Sequence, residues 1–413
     1  MTSRFASIGL RTVLALGLVF AAYYCLVFAR ASFLFHQDTA SSVPAAVALV
    51  PFNGAYSSRL AAWRPQRRSE LLNRAVALNP FDVESWIQLG LTAELEHGDV
   101  LAAERYYLRA ADVDKMFLPR WTLTNFYFRQ QRADEFFSWA RATLDITPYD
   151  AAPVFAQMWL INQDPSVLAR FVPNRPVVLV QYTLYLANYK QYDAIPPIFQ
   201  RLTNSTRNQN PSIYGRDELF GPMEDKLLAA GYIAPALQIW KSMAQANWIP
   251  YTPPTREHPL TNGDFRQRFF GSGFDWALAN TNGFSAVQIP EDGVLRLALS
   301  GSQPEHVPLL RQFLPMQPGH SYRLTWRAEA NAITSSSGLN WHVYPVGKAA
   351  TDDLQSGDLL SSPSTWEFRS DGLGNSAILT LEYARPLGNT QTTGTVTLRS
   401  VLLNEQTNSH EEK

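Results

Sequence analysis

The chain has one cysteine in 413 residues, Cys25, and it lies inside an apolar run. That excludes a disulfide within the chain and any thiolate metal site. It does not place the chain in a reducing compartment, because large extracytoplasmic domains can do without disulfides. An excess of either charge is also lacking: 35 Lys and Arg stand against 36 Asp and Glu, a net charge of −1. A bulk electrostatic partner such as nucleic acid is therefore not indicated. The motifs GxSxG, the Walker loop, GxGxxG and HExxH do not occur. The seven histidines are dispersed, and His306, His320 and His342 are not at metal-ligand spacing. Asp352-Asp353 falls in a Ser/Gly loop and reads as a solvated pair. A glycosidase would need two carboxylates held across a cleft, which spacing alone does not reveal. The expectation is a non-enzymatic protein with no catalytic residues, no cofactor and no metal.

One long hydrophobic run is present. Residues 12–28, TVLALGLVFAAYYCLVF, carry no charge, with Arg4 and Arg11 before them and Arg30 after. A membrane span needs about 17–25 such residues, and a signal-peptide core only about 7–15. Length favours an uncleaved signal anchor over a cleaved signal, although Ala29-Arg30-Ala31 has the small-x-small form of a cleavage site. Arg4 and Arg11 favour a cytoplasmic N-terminus, which puts the bulk of the chain outside the cytoplasm; Arg59, Arg64, Arg67 and Arg68 compete from downstream. With Arg74 those four arginines form a group in which Glu70 is the one interposed acid. They are candidates for an anionic surface, weighed against a solvated helix face. The expected localisation is the inner or plasma membrane, single-pass.

Beyond the run, wording recurs. Residues 46–61 read AVALVPFNGAYSSRLA, residues 75–90 read AVALNPFDVESWIQLG, and residues 142–150 read ATLDITPYD. Asp114 lies about 34 residues from both Pro80 and Pro148, a period typical of helix-hairpin repeats. Helical runs at 69–78, 84–96, 101–112, 119–129 and 133–145 alternate with short turns. Trp86, Leu89, Gly90, Ala93, Ala103, Tyr107 and Ala110 occupy the order of small and large residues that lets paired helices cross closely. The segment resembles tetratricopeptide repeats, specifically over 75–150; Phe136 and Thr143 replace expected alanines in the next unit. The resemblance implies an all-α solenoid that docks a protein partner. Weaker hairpins follow at 177–188 with 192–202 and at 217–230 with 233–246. Trp86, Tyr106, Tyr107, Trp121, Phe126, Phe128, Phe136, Phe137 and Trp139 fall at spacings that predict core packing rather than ligand stacking.

PYTPPTREHP at 250–259 cannot continue a helix and reads as a linker. After it, Gly, Ser, Thr and Asn turns separate short alternating runs, which predict an all-β sandwich. Strands are expected at 294–299, 309–314, 321–329, 339–344, 366–369, 377–383 and 396–403, with 260–265 as an opening strand. Thr261-Asn262-Gly263-Asp264-Phe265, Phe274-Asp275-Trp276 and residues 311–324, RQFLPMQPGHSYRL, resemble the galactose-binding-like jelly roll of carbohydrate-binding modules. That resemblance covers 260–404 and implies glycan binding. Arg266 stands where the family often has an acid that helps a structural calcium; Asp264, Asp275 and Glu382 remain as ligand types, and calcium is not expected. Period-two alternation points Trp326, Trp341, Trp366 and Phe368 inward. It leaves Arg327, Asn340, His342, Tyr344 and Glu382 as the candidate glycan face.

The expected architecture is thus multi-domain. A transmembrane anchor and flank occupy 1–37, a TPR-like solenoid 38–249, a proline-rich linker 250–259, a jelly roll 260–404 and a disordered tail 405–413. The function expected is a membrane-anchored scaffold in the cell envelope. Its solenoid docks a protein and its sandwich binds a glycan, in the manner of proteins of surface polysaccharide assembly or export. The alternatives are a purely structural adaptor with no sugar site, and an accessory subunit of an envelope enzyme.

Overall fold

The computed structural model describes residues 2–207, 209–333, 337–347, 354–388 and 390–406. Helices run in order: α1 Thr2–Gln37, α2 Ser42–Leu49, α3 Gly54–Trp63, α4 Arg68–Leu78, α5 Val83–Leu91, α6 Val100–Val113, α7 Phe117–Arg129, α8 Ala133–Leu144, α9 Ala152–Ile161, α10 Pro165–Leu168, α11 Pro176–Asn188, α12 Ile195–Ser205, α13 Gly221–Ala229 and α14 Ile233–Gln245. The strands are β1 Ala277–Leu278, β2 Phe284–Ile289, β3 Val294–Ser300, β4 His306–Pro315, β5 Ser321–Asn331, β6 Leu339–Pro345, β7 Leu354–Asp358, β8 Thr365–Arg369, β9 Ser376–Ala384 and β10 Thr393–Glu405. The fold is an apolar N-terminal helix, a TPR-like helical repeat and an all-β two-sheet sandwich, the class that the sequence predicts. Two compact units emerge: Met1–Asp150 with Ala156–Ile161, and Ala151–Phe155 with the chain from Asn162 onward.

In the first unit, turns of a few residues make consecutive helices antiparallel neighbours. The turns repeat one device. Pro51 and Pro80 break the preceding helix, and the Asx residue two places on caps the next. Asn53 accepts from Ala55 N at 3.0 Å and Asp82 from Ser85 N at 3.3 Å. Small residues sit where helices cross. A Cβ on Gly90 in α5 would fall 2.3 Å from the Tyr107 ring of α6, and Tyr107 is fully buried. Tyr107 then meets Phe126 of α7 at 5.2 Å between ring centroids. Leu71, Leu72, Val76 and Leu89 form a second cluster, with Trp86 and Tyr106 packed on it.

Alternation gives the repeat two edges. One edge carries the α1–α2, α3–α4, α5–α6 and α7–α8 turns, where Asp38 meets Arg59 and Trp63, Arg68 meets Glu96, and Arg129 meets Glu94 at 2.8 Å. The other carries the α2–α3, α4–α5, α6–α7 and α8–α9 turns. There Arg74 donates to Pro51 O at 2.9 Å, Trp86 Nε1 to Pro80 O at 2.9 Å, and Phe117 meets Tyr149 edge-on at 5.3 Å. Within α1, Thr12–Gln37 is long and apolar enough to cross a membrane. Only its last third is packed: Ala31 is buried with Ala46, Val50 and Tyr56, flanked by Val27, Leu34 and Phe35.

In the second unit, two five-stranded antiparallel sheets face each other, in the orders β1-β4-β9-β6-β7 and β2-β3-β10-β5-β8. Their inner faces close over Trp276, Leu295, Leu314, Tyr322, Leu324, Trp341, Leu379 and Leu398. Residues 260–265 form turns, not the expected opening strand. Asn262 and Phe265 adopt positive φ, and Thr261 N donates to Gln312 Oε1 at 3.0 Å instead of joining a ladder. Strands β1, β2 and β7 lie outside the runs that alternation predicts. The compact units divide near residue 150 rather than at 250–259. Tyr251 of that proline-rich stretch is buried, stacked on Trp240 of α14 at 5.9 Å, and Trp240 also meets Phe270 and Phe274. The stretch is a packed joint between the last helical hairpin and the sandwich. Of the expected disordered tail 405–413, Glu405 ends β10 and Gln406 N donates to Ser321 O at 2.8 Å, so these two are ordered by the sheet, and residues 407–413 lie outside the described residues.

Gly90→Ala tests the close crossing. Alanine should raise helix stability by about 1 kcal/mol, whereas overpacking costs about 1–3 kcal/mol. The contact with Tyr107 makes overpacking dominate, so thermal unfolding of the full chain in detergent should start at lower temperature. A raised midpoint would contradict the crossing.

Candidate functional site

Sheet register decides which candidates meet. In the β1-β4-β9-β6-β7 sheet, Asn340 pairs with Glu382, His342 with Thr380, and Tyr344 with Ile378. Thr380 pairs onward with Arg311. Paired residues share a face, so Asn340, His342, Tyr344 and Glu382 do come together with Arg311. The opposite face carries Trp341, paired with Leu381, into the core. His342 and Tyr344 stack with centroids 5.7 Å apart and planes at 12°. Asn340 Nδ2 donates to Ser356 O at 3.1 Å. Glu382 Oε2 lies 2.8 Å from His306 Nε2; the Glu382 side chain is 6% exposed and that of His306 is 65% exposed.

Two expectations change here. Arg327 is on β5, in the other sheet, paired with Ser400 of β10, exposed, and close enough to Glu329 to stabilise its charge. Period-two alternation identifies outward positions but not the sheet to which they belong, so Arg327 is not part of the face. His342 points outward from its strand and is nonetheless buried, as are Thr380 and Glu382. The face is therefore partly covered. Close to this face, on α13, Asp225 accepts from Gly273 N at 2.7 Å; burial raises its pKa, opposed by that bond and by the nearby charge of Arg311. Asp352-Asp353 lies outside the described residues.

The arginine candidates lie in the first unit, and Arg59, Arg67 and Arg68 have acidic partners there. Arg59 donates Nε to Asp38 Oδ1 at 2.7 Å, and Trp63 Nε1 donates to the same oxygen at 3.0 Å. These hydrogen bonds, the arginine's first, pull Asp38 down to about 2. Arg67 donates Nε to Glu70 at 2.9 Å, and Arg68 pairs with Glu96. Arg64 ends α3 and opens the short turn Pro65–Arg67. Arg59 and Arg68 also line a 380 Å³ cleft with Ser58, Asp82, Glu84 and Gln88. Both signs of charge share its wall. It suits a polar peptide segment better than a single anion.

The joint of the second unit holds buried acids that periodicity did not single out. Asp275 accepts from Tyr251 OH at 2.9 Å and from Phe270 N at 2.5 Å, yet burial pushes it up to about 6. Burial raises Asp225 as well, against its bond to Gly273. Glu224 is completely buried and neither carboxyl oxygen has a hydrogen-bond partner. Burial first, and the Asp225 charge second, drive it well above the ordinary glutamate range. The charge of Arg311 offsets part of the rise at Asp225. Of the calcium-type residues, Asp264 accepts from Arg266 N at 3.3 Å, while Asp275 and Glu382 serve the separate roles above. Among the described residues, no group of three or more His, Cys, Asp or Glu is arranged to hold a metal ion.

No family model matches the sequence, and no curated protein matches it. Three solved structures, each 12% identical, overlap parts of the chain. The Glycosylation Associate Protein (Gap123) complex from Streptococcus agalactiae matches 31% of this chain and 40% of its own, with a TM-score of 0.23. A carbohydrate-binding structure described as CBM4 matches 32% of this chain and 88% of its own, also at 0.23. The APC/C hetero-tetramer Cut9-Hcn1 matches 54% of this chain and 45% of its own, at 0.29. This chain spans less than half the length of the first and third.

The orphaned Glu224 gives a pH signature. Unfolded glutamate ionises near 4.5, whereas the folded group stays protonated far higher. The native state therefore holds one extra proton above about pH 4.5, and stability falls as pH rises. Glu224→Met, of similar volume, should raise unfolding stability, more at pH 8 than at pH 5. Equal effects at both pH values, or a loss at both, would show that the carboxyl has a partner.

Proposed function

We propose that this chain is a membrane-anchored, non-enzymatic scaffold of the cell envelope. In this reading the apolar part of α1 spans the membrane with the N-terminus in the cytoplasm. The helical repeat docks a protein through the mixed-charge cleft between α3, α4 and α5. The sandwich presents Asn340, Tyr344 and the Glu382–His306 pair to a glycan. The carrying observation is the packing of the last third of α1 into the first repeat: Ala31, flanked by Val27, Leu34 and Phe35, makes the anchor one body with the docking surface. A helix removed by cleavage at residues 29–31 would take part of that core with it. On the sandwich, the stacked His342 and Tyr344 rings beside amide and carboxylate groups are the chemistry that a sugar ring requires. A place in surface polysaccharide assembly or export follows from a glycan ligand and an envelope location together.

A second reading is a structural adaptor without a sugar site. The burial of His342, Thr380 and Glu382 favours it, because a platform under cover offers little area for a saccharide to stack on.

Titration of the detergent-solubilised full chain against acidic and neutral oligosaccharides separates the two. The glycan reading expects saturable binding that weakens about tenfold or more in Tyr344→Ala, a loss of about 1.4 kcal/mol or more, and stays unchanged in Arg327→Ala. No binding to any glycan by a folded chain would leave the adaptor reading. For the cleft, a partner that co-purifies in fixed ratio from membranes should be lost with Glu84→Arg and Gln88→Arg together. Its retention would remove the cleft from docking.

A further inference from the structure

The recurring Pro-aromatic-Asx wording has a part that the fold does not use. In Pro51-Phe52-Asn53 and Pro80-Phe81-Asp82, the proline ends one helix and the Asx residue caps the next. The aromatic between them is left pointing out: Phe52 is 59% exposed and Phe81 is 75% exposed. The same edge continues with Met116 at 69% and Tyr149, of Pro148-Tyr149-Asp150, at 66%. The opposite edge has polar tips at Asp38-Thr39, Arg64 to Arg68, His97 to Asp99 and Gln130 to Arg132; its exposed apolar residues, Leu95 at 68% and Leu101 at 75%, flank one turn, whereas all four turns of the first edge carry an exposed aromatic or Met. A repeat built only to be solvated has no reason to sort its turn tips this way.

Helix α1 says what the apolar edge faces. Arg11 and Arg30 bound 18 residues, 30 − 11 − 1, which span about 27 Å at 1.5 Å per residue, close to a hydrocarbon core of about 30 Å. Phe28 lies within the last turn of that span. The Phe52 ring meets the Phe28 ring edge-on at 5.9 Å, so the α2–α3 turn sits at the depth of Phe28. Both rings are exposed, so apolar surface of α1 adjoins the first tip of that edge. Asp82 and Asp114 on that edge are committed to capping and turn bonds, and no excess of cations accompanies the aromatics. Its affinity would be apolar and interfacial rather than electrostatic.

We propose that the edge of the repeat carrying Phe52, Phe81, Met116 and Tyr149 rests in the interfacial layer of the phospholipid bilayer, so the repeat lies along the membrane instead of standing off it. The inference rests on the reading of α1 as a membrane span. It puts Arg64, Arg67 and Arg68 on the edge away from the lipid; of the arginine group, Arg59 and Arg68 line the cleft.

The test uses the full chain, Cys25→Ser, reconstituted in phosphatidylcholine vesicles. Single cysteines introduced as Phe52→Cys, Phe81→Cys, Tyr149→Cys and, on the opposite edge, Gln131→Cys carry an environment-sensitive fluorophore. Nitroxide-bearing lipid should quench the probes at 52, 81 and 149 each by about twofold or more, and the probe at 131 not at all; quenching at 52 alone would mean that the repeat stands off the bilayer and would overturn the inference. The pattern should survive a change from low to high salt. Vesicle flotation is measured in parallel. Chains that float while the probes at 52 and 81 stay unquenched and water-like would overturn the inference and leave the anchor standing. Chains that fail to float would overturn both. Probes shielded from water but not quenched by lipid would mean that a protein or a second copy covers the edge, against the bilayer. Equal quenching at 131 would show that the two edges are not distinguished by lipid.

Discussion

The packing of Ala31 against Ala46, Val50 and Tyr56 is the contact on which the arrangement of the first unit depends. It is extended by Phe35 stacked on Tyr56 at 4.7 Å and closed by Asp38 bonded to Arg59 and Trp63. Each large apolar side chain buried there is worth about 1.5–3 kcal/mol, enough together to hold α1 fixed against the first hairpin. A tether would let the repeat tumble. A packed helix does not, so the antiparallel alternation that follows is oriented with respect to α1. One set of turns lies beside the apolar stretch and the other lies beyond its end.

The second unit obeys a different constraint. Its helical hairpin α13–α14 and its sandwich share a joint in which Trp240 touches Tyr251, Phe270 and Phe274, and Gly273 passes so close that a Cβ would fall 2.7 Å from Trp240. Apolar area holds the joint together, and the buried Glu224 and Asp275 with the half-buried Asp225 weaken it as pH rises. The same hairpin brings Asp225 near Arg311 and so reaches the face where the sugar candidates lie.

Much of the fold was legible in the sequence. The 34-residue period, the alternating runs after residue 290 and the apolar run near the N-terminus each express a local rule, and the corresponding helices and strands appear within a residue or a few. What stayed hidden was non-local. Alternation showed that Arg327 and His342 point outward; it could not show that they lie on different sheets, or that His342 is under cover. Proline content marked 250–259 as a break in the helix, which it is, but proline says nothing of whether the broken segment packs, and Tyr251 does. The edge strands β1 and β7 are short and carry little pattern. The motif VPFN, NPFD, TPYD was visible from the start as a sign of repetition. Only the antiparallel order of helices, with Phe52 against Phe28, shows that its aromatics share an edge.

The central claim is that α1 remains part of the mature protein and crosses the membrane as one body with the repeat. Cys25, the sole cysteine, lies in that stretch and exposes its side chain outward from the helix. The direct measurement is the intact mass of the protein purified from membranes, together with labelling of Cys25 by a water-soluble maleimide in sealed vesicles. The account predicts a mass that retains residues 12–28 and a thiol that reacts only after detergent is added. A mature chain that begins after residue 29 and lacks Cys25, or a thiol that labels freely in intact vesicles, would contradict it.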